Sequence, residues 1–171
     1  MMMHRRNPSL RWSATLCVAL AAVTAGAASC GDGLPENCST ESGWDGDDEG
    51  SELMHPGGNC IGCHAEEAEG PRFVVAGTVM NDLRDDTDCN GVAGVTVEIT
   101  GADGQVVTLT TNAAGNFFLR ESQGTVAMPY TAKLSYQGRE RVMNTPQPSG
   151  ACAACHSAKG ADGAPGRVLV P

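Results

Sequence analysis

The sequence predicts an all-β fold, a small β-sandwich, and three observations lead to that prediction. Short runs of β-branched and aromatic residues recur between residues 72 and 143, at the spacing of about 8 to 12 residues that is typical of sandwich strands. Turn-forming pairs such as Asp103-Gly104 and Gln137-Gly138 separate these runs. No stretch shows the apolar period of an amphipathic helix.

Each predicted strand is a run of five to seven residues with apolar side chains on at least one face. Val95 to Ile99 alternates apolar and polar residues, which is the period of a half-buried strand. The predicted strands are Phe73–Val79, Val95–Ile99, Val106–Thr110, Gly115–Leu119, Tyr130–Tyr136 and Arg139–Met143.

The N-terminal segment, residues 1–29, has the pattern of a secretory signal peptide. Three arginines precede the uncharged run from Trp12 to Ala28, which is too short and too rich in alanine to span a membrane comfortably. Ala27-Ala28-Ser29-Cys30 resembles a bacterial lipobox, which implies an acylated Cys30 at the mature N-terminus. The alternative is ordinary signal cleavage that leaves Cys30 as a thiol.

Residues 30–54 are polar and acidic and predict a disordered tether between the anchor and a folded domain at 55–171. All 20 acidic residues but only 8 of the 11 basic ones follow Cys30, so the exported chain has a net charge of −12. Nucleic acid is excluded as a partner because phosphate binding requires clustered Lys and Arg. The expected locations are the periplasm and the cell surface.

Two motifs have the form C-x-x-C-H: Cys60 to His64 and Cys152 to His156. This is the attachment signature of c-type haem. Thiols three positions apart on one turn reach the two vinyl groups of a porphyrin, and the following His binds the iron. The sequence therefore predicts two covalent haems, held by Cys60, Cys63, Cys152 and Cys155, with His64 and His156 as proximal ligands.

Two other readings of these cysteines stay open. The two C-x-x-C knuckles could supply four thiolates to one structural zinc site, or each pair could form a local disulfide. The His after each second cysteine and the export signal favour haem, because a four-thiolate zinc site needs no His.

The two motifs lie in similar surroundings, which suggests an internal duplication. Haem-binding loops are predicted at residues 56–70 and 148–165, at both ends of the sandwich, and each leads into a β-type run. The second of these runs begins at Arg167. If that run pairs near the strand at Phe73, both motifs lie at the same end of the fold.

The supply of distal ligands is limited, because His4 is removed with the signal and only His55 remains beside the two proximal histidines. His55 and Met143 are the distal candidates. The alternative for His55 is a position in a solvated loop, and the alternative for Met143 is packing in the core. Bis-His ligation lowers the reduction potential and a His–Met pair raises it.

Cys38 and Cys89 remain after the other assignments, and they could form a disulfide in an oxidising compartment. Around Cys89, the side chains of Asp86, Asp88 and Asn90 match the first half of a calcium loop. The twelfth position carries Val97 instead of an acid, so an acidic turn without calcium is the alternative.

The run from Gly94 to Val97, the pair Asp103-Gly104 and the segment from Thr110 to Phe117 resemble carboxypeptidase-regulatory-like modules. The resemblance implies an immunoglobulin-like or prealbumin-type sandwich and no activity. With the two motifs, the chain resembles a dihaem c-type cytochrome lipoprotein.

The expected function is extracytoplasmic electron transfer to redox partner proteins, and no catalytic set is apparent. The alternatives are a surface binding module with structural zinc and a haem sensor or enzyme with one open iron.

Overall fold

A computed structural model describes residues 50–66, 70–84 and 89–171 of the chain. Strands dominate this part, with two short helices at the C-x-x-C-H motifs. In chain order the elements are α1 (Cys60–Glu66), β1 (Phe73–Met80), β2 (Thr96–Thr100), β3 (Val106–Thr110), β4 (Asn116–Arg120), β5 (Thr131–Tyr136), β6 (Arg139–Val142), α2 (Cys152–Cys155) and β7 (Val168–Leu169).

The strands form two sheets, so the predicted all-β class is confirmed. One sheet has the order β4-β1-β7 and the other has the order β3-β2-β5-β6. Each predicted strand is present within one residue at either end. The sequence did not predict α1 and α2 as helices, because elements of seven and four residues are too short to show an apolar period.

One apolar cluster takes side chains from both sheets. Val75, Val79 and Phe117 come from the three-stranded sheet, and Val97 and Ile99 come from the four-stranded sheet. In β2 these positions alternate with half-buried threonines and a glutamate, because successive side chains of a strand point to opposite faces. Burial of the apolar face of each sheet is therefore the main stabilising contribution, at roughly 25 cal/mol per Å².

Strand β1 is the element on which the rest of the three-stranded sheet is assembled. It pairs antiparallel with β4 and parallel with β7, where Val79 faces Val168 and Met80 faces Leu169. Ala76 also forms a parallel bridge with Ala151, directly before α2. The run that follows the second motif thus pairs with the first strand. The sequence analysis expects both motifs at the same end of the fold if these two runs pair.

Residues 50–54, the end of the predicted tether, contact the β4 region. The Asn116 side-chain amide donates to the Met54 carbonyl at 3.0 Å, and Asn112 donates to the Glu52 carbonyl at 2.7 Å. Several predicted features lie outside the described residues: the signal peptide, the lipidation candidate Cys30, the remainder of the tether with Cys38, and the calcium candidates Asp86 and Asp88. Within the described ranges, no helix has the length and apolar character needed to cross a bilayer.

Candidate functional site

The first C-x-x-C-H motif begins α1, and Asn59 caps that helix. The Asn59 side chain accepts the Gly62 N–H at 3.1 Å, and its carbonyl accepts the Cys63 N–H at 3.0 Å. Asn is a favoured residue at this position because its side-chain oxygen satisfies an N–H group that the helix leaves unpaired. The Gly57 N–H, three residues before the first cysteine, donates to Thr78 Oγ1 at 2.8 Å. This hydrogen bond ties the first loop to β1.

The two cysteines of the first motif are in different chemical states. Cys60 is a free, partly buried thiol that donates to the Gly58 carbonyl at 3.7 Å, and burial raises its pKa. Cys63 is disulfide-bonded. The His64 ring packs edge-on against Phe73, with 5.0 Å between ring centroids. Gly70 lies against the same ring, and a Cβ there would be 2.8 Å from two of its atoms.

The second motif is held directly on the backbone of β1. The Gly150 carbonyl accepts the Ala76 N–H at 3.0 Å, and the Ala76–Ala151 bridge follows. Helix α2 is a single turn in which the His156 N–H donates to the Cys152 carbonyl at 2.8 Å. This turn places two free thiols, Cys152 and Cys155, three positions apart.

The Cys152 side chain packs between Gly77 and Tyr130. A Cβ on Gly77 would be 2.8 Å from Cys152 Cβ, so a glycine is required there for this close approach. The Cys152 thiol donates to the Gly150 carbonyl at 3.6 Å, and the buried Tyr130 hydroxyl lies 3.9 Å from the same sulfur. Burial raises the pKa of Tyr130, and the thiols of Cys152 and Cys155 add to that rise.

The pKa of Cys152 is raised from 9.0 to about 11, mainly by burial, while the hydrogen bond from Tyr130 lowers it. We expect Cys152 in the haem-free protein at pH 8 to be alkylated about a hundredfold more slowly than a thiol with the ordinary pKa. A rise of two pKa units lowers the fraction of thiolate, the reactive form, by that factor. The rate should rise with pH towards a midpoint near 11. Peptide-resolved mass spectrometry after timed iodoacetamide labelling measures this rate.

The same peptide labelled in urea is the control, since unfolding removes the burial and restores the ordinary thiol pKa. Equal rates in the folded and unfolded protein at pH 8 would contradict the buried position of Cys152.

His156 has one ring nitrogen fixed by the backbone. Its Nδ1 lies 2.9 Å from the Gly166 carbonyl oxygen. Because a carbonyl can only accept, Nδ1 carries the proton in the neutral ring, and Nε2 keeps its lone pair. A hydrogen bond of this kind is the usual way in which a protein orients a metal-binding imidazole.

Cys155 is the more exposed cysteine of the second motif. Its thiol donates to the Asp162 carboxylate at 3.7 Å. The pKa of Cys155 is raised, first by burial and then by the negative charge of Asp162 and this hydrogen bond.

The two motifs occupy neighbouring positions along β1. Thr78 holds the first loop, and Ala76 and Gly77 hold the second. A negative charge on Cys60 is among the smaller causes that raise the pKa of Cys152.

A small cleft that is open to solvent lies where the two loops meet. The sequence analysis does not single out several of the residues that line it. The buried side chains of Met80 and Arg167 line it together with Cys152 and His156. The sequence places Arg167 only at the start of a β-type run, and it gives no reason to single out Met80 among the methionines. The burial of the Arg167 side chain beside the second motif is what distinguishes this residue. Burial depends on the fold and is not visible in the sequence.

The two distal candidates lie in different places. His55 is in the turn before α1, where it adopts a left-handed φ of 46° and its carbonyl accepts the Gly58 N–H at 2.9 Å. Met143 packs against the core cluster, and its N–H donates to the Ala132 carbonyl at 2.8 Å. These contacts support core packing for Met143.

Cys89 is disulfide-bonded and only 3% exposed, and it packs against Leu53 and Met54. Its predicted partner Cys38 lies outside the described residues, so that pairing stays a prediction. Asn90 follows Cys89 directly, while the two aspartates of the predicted calcium loop are outside the described part of the chain.

The donors that a shared zinc site would need are not gathered at one point. Cys63 is in a disulfide and Cys155 lies beside Asp162. Among the residues with described positions, no group of three or more His, Cys, Asp or Glu side chains could hold a metal ion. Comparison of the chain with protein-family models, with curated proteins and with solved structures finds no match.

Proposed function

We propose that this chain is an extracytoplasmic electron-transfer protein that carries c-type haem at its two C-x-x-C-H motifs. The observation that carries the proposal is the second motif, where two free thiols share one helical turn and the Nδ1–H of His156 is held by the Gly166 carbonyl. When bound, the haem iron would accept and release single electrons.

The residues of the second motif fit a covalent haem. Cys152 and Cys155 would form the two thioethers, and His156 would offer Nε2 to the iron because its other nitrogen is already committed. The cleft beside them is much smaller than a porphyrin. Covalent attachment suits such a place, because the pocket alone could not retain the group.

The first motif fits a covalent haem only when Cys63 is a thiol. Cys60 is free and His64 is oriented by Phe73, but Cys63 is in a disulfide and must become a thiol before it can form a thioether. With that condition met, the common attachment of the two loops to residues 76–80 of β1 would bring two haems close together, and electrons could pass between them.

The proposal extends to the setting of the protein. We take the two sheets to form a prealbumin-like β-sandwich, since one cluster joins residues of both. Lipidation at Cys30 would anchor the chain to a membrane facing the periplasm or the cell surface, and the acidic tether would let it reach redox partner proteins. Such partners usually meet through small, transient interfaces. In this proposal the chain is an electron carrier and not an enzyme.

The test is production of the full exported chain together with a cytochrome c maturation system. We expect a haemochrome spectrum of the thioether type and an intact mass raised by covalent haem, mapped by peptide analysis to residues 152–156. Haem at residues 60–64 is expected in molecules whose Cys63 is a thiol. A colourless product that contains stoichiometric zinc would contradict the proposal and favour the structural-zinc alternative.

A further inference from the structure

We propose that Tyr130 is a positioning residue for haem attachment at the second motif, because its hydroxyl holds the Cys152 sulfur in place beside the core. This inference rests on the proposed function and deepens it. It gives the two cysteines of the motif different roles. Cys155 meets the haem from the solvent side, and Cys152 forms its thioether from a fixed position.

Tyr130 is itself tied to the chain that carries the second motif. It lies directly before β5, its side chain belongs to the core cluster, and it is only 3% exposed. Its N–H donates to the Gln147 carbonyl at 3.0 Å, and its carbonyl accepts the Gln147 N–H at 2.8 Å. This antiparallel bridge joins Tyr130 to the segment that leads into the second motif. The tyrosine and the motif therefore keep a fixed relation to each other.

The hydrogen bonds of the Cys152 sulfur settle which atom donates in its contact with Tyr130. A thiol has one proton, and the Cys152 thiol donates it to the Gly150 carbonyl at 3.6 Å. The Tyr130 hydroxyl, 3.9 Å from the same sulfur, is then the donor in the second contact. A buried tyrosine hydroxyl usually has a hydrogen-bond partner, and the sulfur serves as that partner.

Formation of a thioether affects these two hydrogen bonds differently. The Cys152 S–H adds across a vinyl group: the sulfur bonds to one vinyl carbon, the thiol proton goes to the other, and no net oxidation takes place. The contact with the Gly150 carbonyl is lost because the sulfur no longer has a proton. The sulfur keeps lone pairs, so it can still accept from Tyr130. Of these two partners, only Tyr130 can hold the sulfur both before and after attachment.

Cys152 is also confined by the three-stranded sheet. An added Cβ at Gly77 of β1 would lie 2.8 Å from Cys152 Cβ and 3.1 Å from its sulfur, and Phe117 of β4 lies against the same position at 2.9 Å. Cys152 borders the open cleft together with His156. The side chain is thus held next to the residue that would bind the iron.

Cys155 is placed differently from Cys152. Its thiol lies at an exposed position and donates to the Asp162 carboxylate at 3.7 Å. Cys155 can therefore move to meet a vinyl group, whereas Cys152 reacts from where the core holds it. Loss of the Tyr130 hydroxyl should consequently reduce the Cys152 thioether and leave the Cys155 thioether intact.

The experiment compares wild type, Tyr130→Phe and Tyr136→Phe, each produced as the full exported chain with a cytochrome c maturation system. Tyr130→Phe keeps the ring in the core and removes only the hydroxyl. Tyr136→Phe is the matched control, because it makes the same chemical change at the far end of β5, in a side chain that packs against the same core cluster. Peptide mass spectrometry locates the thioethers, and the haemochrome spectrum reports unreacted vinyl groups.

We expect both thioethers at the second motif of the wild type. In Tyr130→Phe, the ratio of chains with the Cys155 thioether alone to chains with both should rise roughly fivefold, the factor that corresponds to one hydrogen bond of about 1 kcal/mol. The haemochrome maximum should move to longer wavelength, because an unreacted vinyl group extends the conjugation of the porphyrin. Tyr136→Phe should match the wild type. A purely structural role of Tyr130 would lower total haem without selecting one thioether.

Because Tyr130 lies in the core, a second measurement tests its contact with the sulfur in the haem-free chain. Urea unfolding of wild type, Tyr130→Phe, Cys152→Ala and the double variant forms a double-mutant cycle. Each single variant loses the hydrogen bond, and the double variant loses it only once. The unfolding constant of the double variant should therefore be roughly fivefold smaller than the product of the two single effects predicts.

Equal proportions of the Cys152 thioether in wild type and Tyr130→Phe would overturn the positioning role, and so would strictly additive effects in the urea cycle. Absence of haem from residues 152–156 in every form would instead mark failure of the proposed function, and this inference would fall with it. The urea cycle would then still show whether the hydroxyl and the sulfur interact.

Discussion

Replacement of Gly150 with alanine is expected to destabilise the folded chain by about 3 kcal/mol or more, at the upper end of the range for overpacking. The added Cβ would overlap the Val74 carbonyl oxygen and lie 2.8 Å from both the Val74 carbonyl carbon and Val75 Cα. These are backbone atoms of β1, and they cannot shift without disturbing the pairing of β1 with β4. Urea denaturation followed by circular dichroism measures the loss.

Gly124→Ala is the matched control, because the nearest atom to its added Cβ is Leu119 Cδ1 at 3.9 Å. Its effect should stay within about 1 kcal/mol, the usual size for a glycine replaced where there is space. If the two variants are equally stable, the second motif does not dock on Ala76 in the way described.

The double variant Cys152→Ser, Cys155→Ser is expected to lose all covalent haem from residues 152–156. Serine is close to cysteine in size but has no sulfur to form a thioether, so any haem that entered would be lost on denaturation. His156 alone gives a single coordination bond, which acid and organic solvent break. Haem staining of a denaturing gel and intact mass measure the result.

The control for this variant is Ala153→Ser, Ala154→Ser, which adds two hydroxyl groups to the same turn and keeps both thiols. It should retain the haem content of the wild type. Covalent haem that persists at residues 152–156 in the cysteine variant would show that the thiols do not hold it.

The strands could be predicted from the sequence because the apolar pattern that marks a strand involves only neighbouring residues. Val106–Thr110 was predicted with the bounds that the structure gives, and Val95–Ile99 is displaced from β2 by one residue. Turn pairs such as Asp103-Gly104 limited each run, and Gly104 indeed has a positive φ of 78°. The grouping of the strands into two sheets depends on contacts between distant residues, which a run of side chains does not encode.

The candidate site also combines features that can be predicted from the sequence with features that depend on the fold. The two C-x-x-C-H motifs could be read directly, since their chemistry requires adjacent residues. The contact of Cys152 with Gly77, the position of Tyr130 beside the same sulfur, and the burial of Arg167 join residues far apart in the chain. Cys63 is disulfide-bonded, whereas the spacing within the motif predicts a thioether to haem.

The position of β1 between β4 and β7 has a consequence for the timing of maturation. A chain delivered across a membrane from its N-terminus presents residues 73–80 long before residue 168, which pairs with Val79. During that interval Val168, which lines the same cleft as Cys152, is not yet in place, so this side of the second motif is open to water. Under the proposed function, haem attachment at the second motif would thus be easiest on the newly exported chain, and completion of the sheet would then enclose a bond already made.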